Sequence, residues 1–202
     1  MTEIREAYTV PVLDEAGLRL DAWDPESGTD VAAWLRAYQD PEFRRWNTPL
    51  LPVTDLAGAR DSLRARRADG AAGRSVTFRV TEAGVGERRV VLGQLGVNMI
   101  DRTMGVARVG YWVLPEARGR RVAVRSLLLA ARWSFTELGL HRLELGHAVG
   151  HEVSCRVAER GGFPAEGTLR GAMWEAERTD AYRDVHLHAR LATDPEPAET
   201  AG

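Results

Sequence analysis

The sequence predicts a single mixed α/β (α+β) domain, and three observations predict it. The 202 residues are 44% apolar and 28% charged, enough to bury one sizeable core and too apolar for wholesale disorder. Short segments in which apolar and polar residues alternate recur along the chain, the pattern of half-buried strands. Between them lie segments whose apolar residues return at intervals near 3.6, the pattern of amphipathic helices.

Taken in order, the run from Leu18 to Trp23 alternates and reads as a strand. Thr29 or Asp30 opens a helix that carries Val31, Trp34, Leu35 and Tyr38 on one face. From Asp40 to Pro52 no period is visible, and the stretch reads as a loop. Thr54 caps a second helix reaching about Ala68, which the run from Asp69 to Gly73 breaks. Val76, Phe78 and Val80 mark a strand, and Glu82 to Glu87, with two glycines, a hairpin turn. Val90 to Ile100 and Val106 to Leu114 read as two more strands. The clearest helix begins at Val122, with Val124, Leu127, Leu128, Ala131, Phe135 and Leu138 in register and Gly139 as its stop. Arg142 to Ala148 is a strand and Glu152 to Arg160 a helix ended by Gly161-Gly162. Gly167 to Ala176 and Tyr182 to Leu191 form an antiparallel pair. The tail from Thr193 is rich in Pro, Glu and Ala and is expected to be disordered, leaving residues 1–192 as the domain and 193–202 as the tail.

Composition excludes several functions. A formal net charge of −2 gives no basis for a nucleic-acid or anionic-membrane partner. All 27 basic residues are arginine, so neither a Schiff-base lysine nor a phosphate-binding G-x-x-x-x-G-K-[ST] loop can exist. The one cysteine, Cys155, cannot form an intramolecular disulfide and reads as a small buried hydrophobe on a helix, which suits a reducing compartment. The first residues are charged and lack a signal-peptide apolar run, and no window approaches a membrane span. A soluble cytoplasmic protein is expected. The five histidines are scattered in sequence, with His186 and His188 a half-exposed pair on a strand, so no metal site is predicted.

The segment from Gly110 to Ala123 carries the chemical signal. A strand ends at Pro115, a turn follows, and a helix starts near Arg120. The first N–H groups of a helix have no intrahelical partner and sit at the positive end of its dipole, which makes an anion site. Arg118, Arg120 and Arg121 add charge there, and Gly119 permits close approach, so a pyrophosphate is the expected ligand.

This run resembles motif A of the GNAT superfamily of N-acetyltransferases, Q/R-x-x-G-x-G/A after a Gly-Tyr-Trp strand. Here the motif reads Arg118-Gly119-Arg120-Arg121-Val122-Ala123, with Arg121 where the family usually has Gly. Downstream, the run from His151 to Phe163 is similar to the family's N-x-x-S-x-R-V-A-E-x-x-G-F. The run from Pro164 to Arg170 follows its x-x-E-G-x-x-R. Both features point to the branch of ribosomal-protein N-terminal acetyltransferases.

The resemblance implies a twisted, mixed, mostly antiparallel sheet flanked by helices, with a V-shaped opening between two central strands. These are taken to be the strands from Val90 to Ile100 and from Val106 to Leu114. It implies acetyl-CoA as cosubstrate, held by Trp112, Val113, Leu114, Arg118, Gly119, Arg120, Arg121, Val122, Ala123 and His151, with no metal. The acceptor would be the amine of a peptide N-terminus or a small molecule, attacking the thioester directly. A homodimer is also implied. Many relatives carry a leaving-group tyrosine where this chain has Ala158; Ser154 is assigned proton donor or thiolate stabiliser, with support of the helix start as the other reading. Arg108 stands where relatives often carry a glutamate, so Glu175 is the preferred base over Asp101 and His186, a water relay remaining open. Asn98 and Trp174 are the acceptor-cleft candidates. Two other readings stay open, a different acyl thioester as donor and a scaffold that binds CoA without turnover.

Overall fold

The computed structural model describes residues 9–15, 17–47, 52–83, 90–176 and 178–197. Eight strands form one sheet: β1 (Leu13–Glu15), β2 (Leu18–Ala22), β3 (Val76–Glu82), β4 (Val91–Asp101), β5 (Val106–Val113), β6 (Arg142–Ala148), β7 (Ala165–Trp174) and β8 (Tyr182–Leu191). Their order is β1-β2-β3-β4-β5-β6-β8-β7. Every neighbouring pair is antiparallel except β5 and β6, which are parallel. Parallel neighbours need a crossover, and helix α4 (Val122–Thr136) supplies it.

Helices cover the sheet in two layers. On one side α4 packs its apolar stripe on alternate residues of the strands: Val76, Phe78 and Val80 of β3 share a core with Leu127, Ala130 and Trp133. The Trp133 ring meets Phe78 edge-on, with centroids 5.3 Å apart. Helices α1 (Gly28–Gln39) and α3 (Leu56–Ala71) enclose a second core in which Trp23, Val31, Trp34, Leu63 and Leu114 are buried. Helix α5 (Glu152–Arg160) lies beside α4 and buries Ala158. No helix among the described residues is long and apolar enough to cross a membrane.

Between β3 and α1 a charged network replaces apolar packing. Asp30, 1% exposed, accepts from Arg79 Nη1 at 2.8 Å and from the Asp24 N–H at 2.9 Å. Arg79 also donates to both oxygens of Asp21, at 2.9 and 3.0 Å. Burial alone would lower the Arg79 pKa, but its bonds to the two aspartates outweigh that and raise it. A buried ion cluster is costly to leave half-made, and every charge here is met.

Several expectations need correction. The stretch read as a loop contains α2 (Pro41–Trp46). Asp40 caps it through the N–H groups of Glu42 and Phe43, at 3.3 and 3.2 Å, and Pro41 occupies the first turn. Six residues are too few to show a period, and only the Asp-Pro pair announces them. Helix α3 is capped by Asp55, accepting from the Gly58 N–H at 2.8 Å, rather than by Thr54. The turn expected from Glu82 to Glu87 lies mostly outside the described residues. Of the expected tail, residues up to 197 are described: they turn back past Gly162, and Glu196 pairs with Arg190 at 3.1 Å.

The V-shaped opening is also displaced. Strands β4 and β5 stay paired from Asn98↔Arg108 to Gly93↔Val113. The parallel ladder holds over three pairs only, Val106↔Arg142, Ala107↔Leu143 and Arg108↔Glu144. Beyond them β5 remains bound to β4, β6 remains bound to β8, and the two part.

At the head of α4, Arg121 has φ 56° and ψ 19°, the left-handed region. A non-glycine residue there is strained by about 1–2 kcal/mol. This gives a physical reason for glycine at the corresponding family position.

Two outcomes are expected. Asp30→Ala, which strips one partner from a half-buried arginine, should lower the urea unfolding free energy by about 2–3 kcal/mol with an unchanged m-value. Arg121→Gly should raise it by about 0.5–1 kcal/mol, measured the same way.

Candidate active site

Where β5 and β6 separate, a cleft of about 500 Å³ opens. Its walls are Val109 to Val113 of β5, Leu145 to His147 of β6 and the first turn of α4. Helix α5 adds Ser154 and Val157, α2 adds Phe43 and Trp46, and β7 adds Met173.

The backbone of β5 is arranged to receive a ligand. Leu114 N–H donates to Leu92 O at 2.9 Å. Backbone groups alternate sides along an antiparallel ladder, so Trp112 also turns its groups toward β4. Tyr111 and Val113 turn theirs toward the gap, where no strand meets them. Of Trp112, Val113 and Leu114, Val113 is therefore the one that turns its backbone groups to the gap, and Tyr111 joins it. Leu114 is 1% exposed and belongs to the second core.

The turn before α4 has a compact form. After a short 3₁₀ turn (Pro115–Ala117), the chain passes Gly119 at φ 76°, with nothing within 4 Å of where a Cβ would stand. Arg118, Gly119, Arg121, Val122 and Ala123 all line the cleft. Arg118 is committed elsewhere as well: Nη2 pairs with Asp40, and Nε donates to Val113 O at 3.3 Å. It thus ties the start of α2 to the phosphate turn. Arg120 lies outside the lining and pairs with Glu82.

Deeper in the cleft, Tyr111 Oη and Ser154 Oγ are 2.9 Å apart. Burial pushes the Tyr111 phenol up to about 12, so it keeps its proton at neutral pH. Ala158, where relatives often carry a tyrosine, is fully buried, and Tyr111 reaches the neighbouring Ser154 from the strand instead. Sequence reasoning quoted Tyr111 only as a strand marker. Pairing it with Ser154 requires β5 and α5 to be adjacent in space.

At the mouth, His151 stacks face to face on Trp46, with centroids 4.4 Å apart and planes 1° from parallel. Burial first, then His147, lowers the His151 pKa to about 4, so the ring stays neutral. Glu42 lines the same mouth and accepts from Trp46 Nε1 at 2.6 Å.

Other expected residues fall outside the lining. Glu175 lies two residues past Met173, in the turn after β7, with Arg183 Nη1 at 4.0 Å. Trp174 pairs across to Tyr182, and Asn98 lies on β4 opposite Arg108. Asp101 accepts from the N–H groups of Thr103 and Met104 and shapes the β4–β5 turn. His186 sits beside Cys155 and His147, a grouping that their distant sequence positions conceal.

Comparisons with known proteins agree with this architecture. YdaF of Bacillus subtilis (strain 168), which carries the name of a ribosomal N-acetyltransferase, is 31% identical over 93 residues. That match covers 46% of this chain and about half, 51%, of YdaF. An uncharacterized N-acetyltransferase, p20 of Bacillus licheniformis, is 29% identical over 141 residues, 70% of this chain and 77% of that protein. Among solved structures, Mycobacterium smegmatis RimJ in complex with CoA-disulfide superposes with a TM-score of 0.76 at 24% identity, covering 92% of this chain and 88% of that one. RimL, a ribosomal L7/L12 alpha-N-protein acetyltransferase in complex with coenzyme A, gives 0.77 at 20% identity, covering 90% and 98%. Residues 18–164 match the acetyltransferase (GNAT) domain, and the chain belongs to that family.

Proposed function

We propose that the protein transfers the acetyl group of acetyl-CoA to a primary amine, that of a peptide N-terminus, by direct attack without an acyl-enzyme. The observation that carries this reading is the opening of the sheet after three parallel residue pairs. It exposes a strand edge, a helix N-terminus and a Tyr–Ser hydroxyl pair along one cleft.

The α4 N-terminus and Arg121 suit the pyrophosphate, since unpaired N–H groups and the helix dipole both favour an anion there. The backbone groups of Tyr111 and Val113 suit the amides of the pantetheine arm, drawing its thioester inward between the strands. A backbone N–H on that edge serves as oxyanion donor, because a fixed donor needs no reorganisation. The Tyr111–Ser154 pair protonates the departing thiolate, the phenol holding the serine hydroxyl in place. Glu42, a carboxylate of the lining that is open to water, takes the proton of the attacking amine. This role falls to it because Glu175 stands outside the lining. The likeness to RimL, a ribosomal L7/L12 alpha-N-protein acetyltransferase, supports a peptide acceptor, as does the exposed length of β7 beside the mouth.

In calorimetry, the chain should bind acetyl-CoA in the micromolar range, and Arg118→Ala should weaken binding about tenfold by loosening the turn. Absence of binding would return the reading to another acyl donor. In steady-state assays with peptides bearing N-terminal Ser or Ala, Ser154→Ala should lower kcat about 100-fold and Tyr111→Phe about tenfold, with KM for acetyl-CoA little changed. Turnover of small amines alone would overturn the peptide acceptor.

A further inference from the structure

The single cysteine and four of the five histidines of this chain gather in one place. His147 on β6 and His186 on β8 are register partners, so both project from the same face of the sheet. Helix α5 lays Cys155 over them. Its Sγ lies 3.3 Å from His147 Nε2 and 3.5 Å from His186 Nδ1, and the three donor atoms lie within 4.8 Å of one another. The His188 ring stacks 5.3 Å from that of His147, and the His151 ring lies 6.0 Å from it.

We propose that Cys155, His147 and His186 form a binding site for a thiolate- and imidazole-preferring divalent cation of the Zn²⁺ class. The inference does not rest on acetyl transfer.

Three features support it. The first is distance: tetrahedral bonds of about 2.3 Å to sulfur and 2.0–2.1 Å to nitrogen put S and N about 3.5 Å apart, which both S···N contacts approach. The second is orientation. His147 Nδ1 lies 3.0 Å from Ala148 O. A carbonyl only accepts, so the proton sits on Nδ1 and the Nε2 lone pair faces the sulfur. Histidine ligands are commonly held by such a backbone carbonyl. The third is that the hydrogen bonding of the cluster is incomplete. His188, 1% exposed, has Nδ1 3.0 Å from Phe163 O, which leaves its buried Nε2 without a partner.

A bound cation would engage the facing lone pairs directly, its binding releasing the thiol proton. One thiolate and two neutral imidazoles leave a net single positive charge. Glu152 is near enough to act on both His147 and Cys155 and opposes that charge. The remaining coordination position is taken by water, with His188 as the neighbouring uncommitted base. Because His147 also lines the cleft, the ion would form part of its inner wall.

The test uses the full chain without a histidine tag, stripped with a chelator, freed of it, and titrated with Co²⁺ and then Zn²⁺. The expected result is one Co²⁺ per chain with a thiolate-to-cobalt charge-transfer absorption, displaced by one equivalent of Zn²⁺. Cys155→Ala should abolish that absorption. Both Cys155→Ala and His186→Ala should weaken Zn²⁺ binding about 100-fold or more, since even supporting partners of metal ligands are worth 10–100-fold. His141→Ala, an exposed histidine outside the cluster, should change nothing. Absence of the charge-transfer absorption in the unmutated chain at saturating Co²⁺ overturns the site, whatever the variants do. So does Zn²⁺ affinity equal in Cys155→Ala and the unmutated chain, or lost equally in His141→Ala.

Discussion

The site depends on a pairing that stops. β5 and β6 share three residue pairs and then separate, while each remains bound to its other neighbour. The strands twist, and two parallel strands joined only by a crossover helix have no hairpin to hold their register beyond the first contacts. The consequence is a row of backbone groups on β5 with no strand to satisfy them. Buried unpaired amides are costly; Arg118 Nε meets Val113 O, and the rest of the edge is left to solvent or a ligand. An extended molecule carrying its own amides is chemically matched to it. The absence of a ladder is therefore the feature that the lining side chains surround.

The crossover that permits the opening also furnishes its anion end. Helix α4 begins where β5 runs out, so its unpaired N–H groups face the gap. It can begin there only through a left-handed residue, and in this chain that residue is Arg121. The substitution adds a cation at the anion site at a cost in backbone strain. Arg118 meanwhile holds Asp40, the residue that caps α2, so the phosphate turn and the wall carrying Phe43 and Trp46 are mechanically joined. The stacked Trp46 and His151 rings close the same wall against α5.

Polar groups decide how the rest is organised. The Asp21–Arg79–Asp30 network locks α1 to the sheet on the face opposite α4. On the α5 side, the thiol and imidazoles occupy ground that apolar side chains could have filled. Networks of this kind specify one arrangement because each member left without its partner is penalised heavily.

Periodicity and motif were enough to read most elements and the turn at the head of α4, because both are written in neighbouring residues. The alternation of Val76, Phe78 and Val80 requires only a strand with one buried face, and the stripe from Val124 to Leu138 only a helix on a core. The run from Arg118 to Ala123 carries its chemistry in consecutive positions. What lies between elements was not legible. The opening falls between β5 and β6 rather than between β4 and β5, because local sequence encodes strands and leaves their separation to topology. Helix α2 was hidden because six residues hold too little pattern. Tyr111 and Ser154 stand 43 positions apart, and Cys155 and His186 stand 31 apart. The sequence by itself determined which residues can do chemistry and which faces are apolar. Only the tertiary structure decided which of those residues meet, because contacts across a sheet depend on strand order and register, to which no single segment commits the chain.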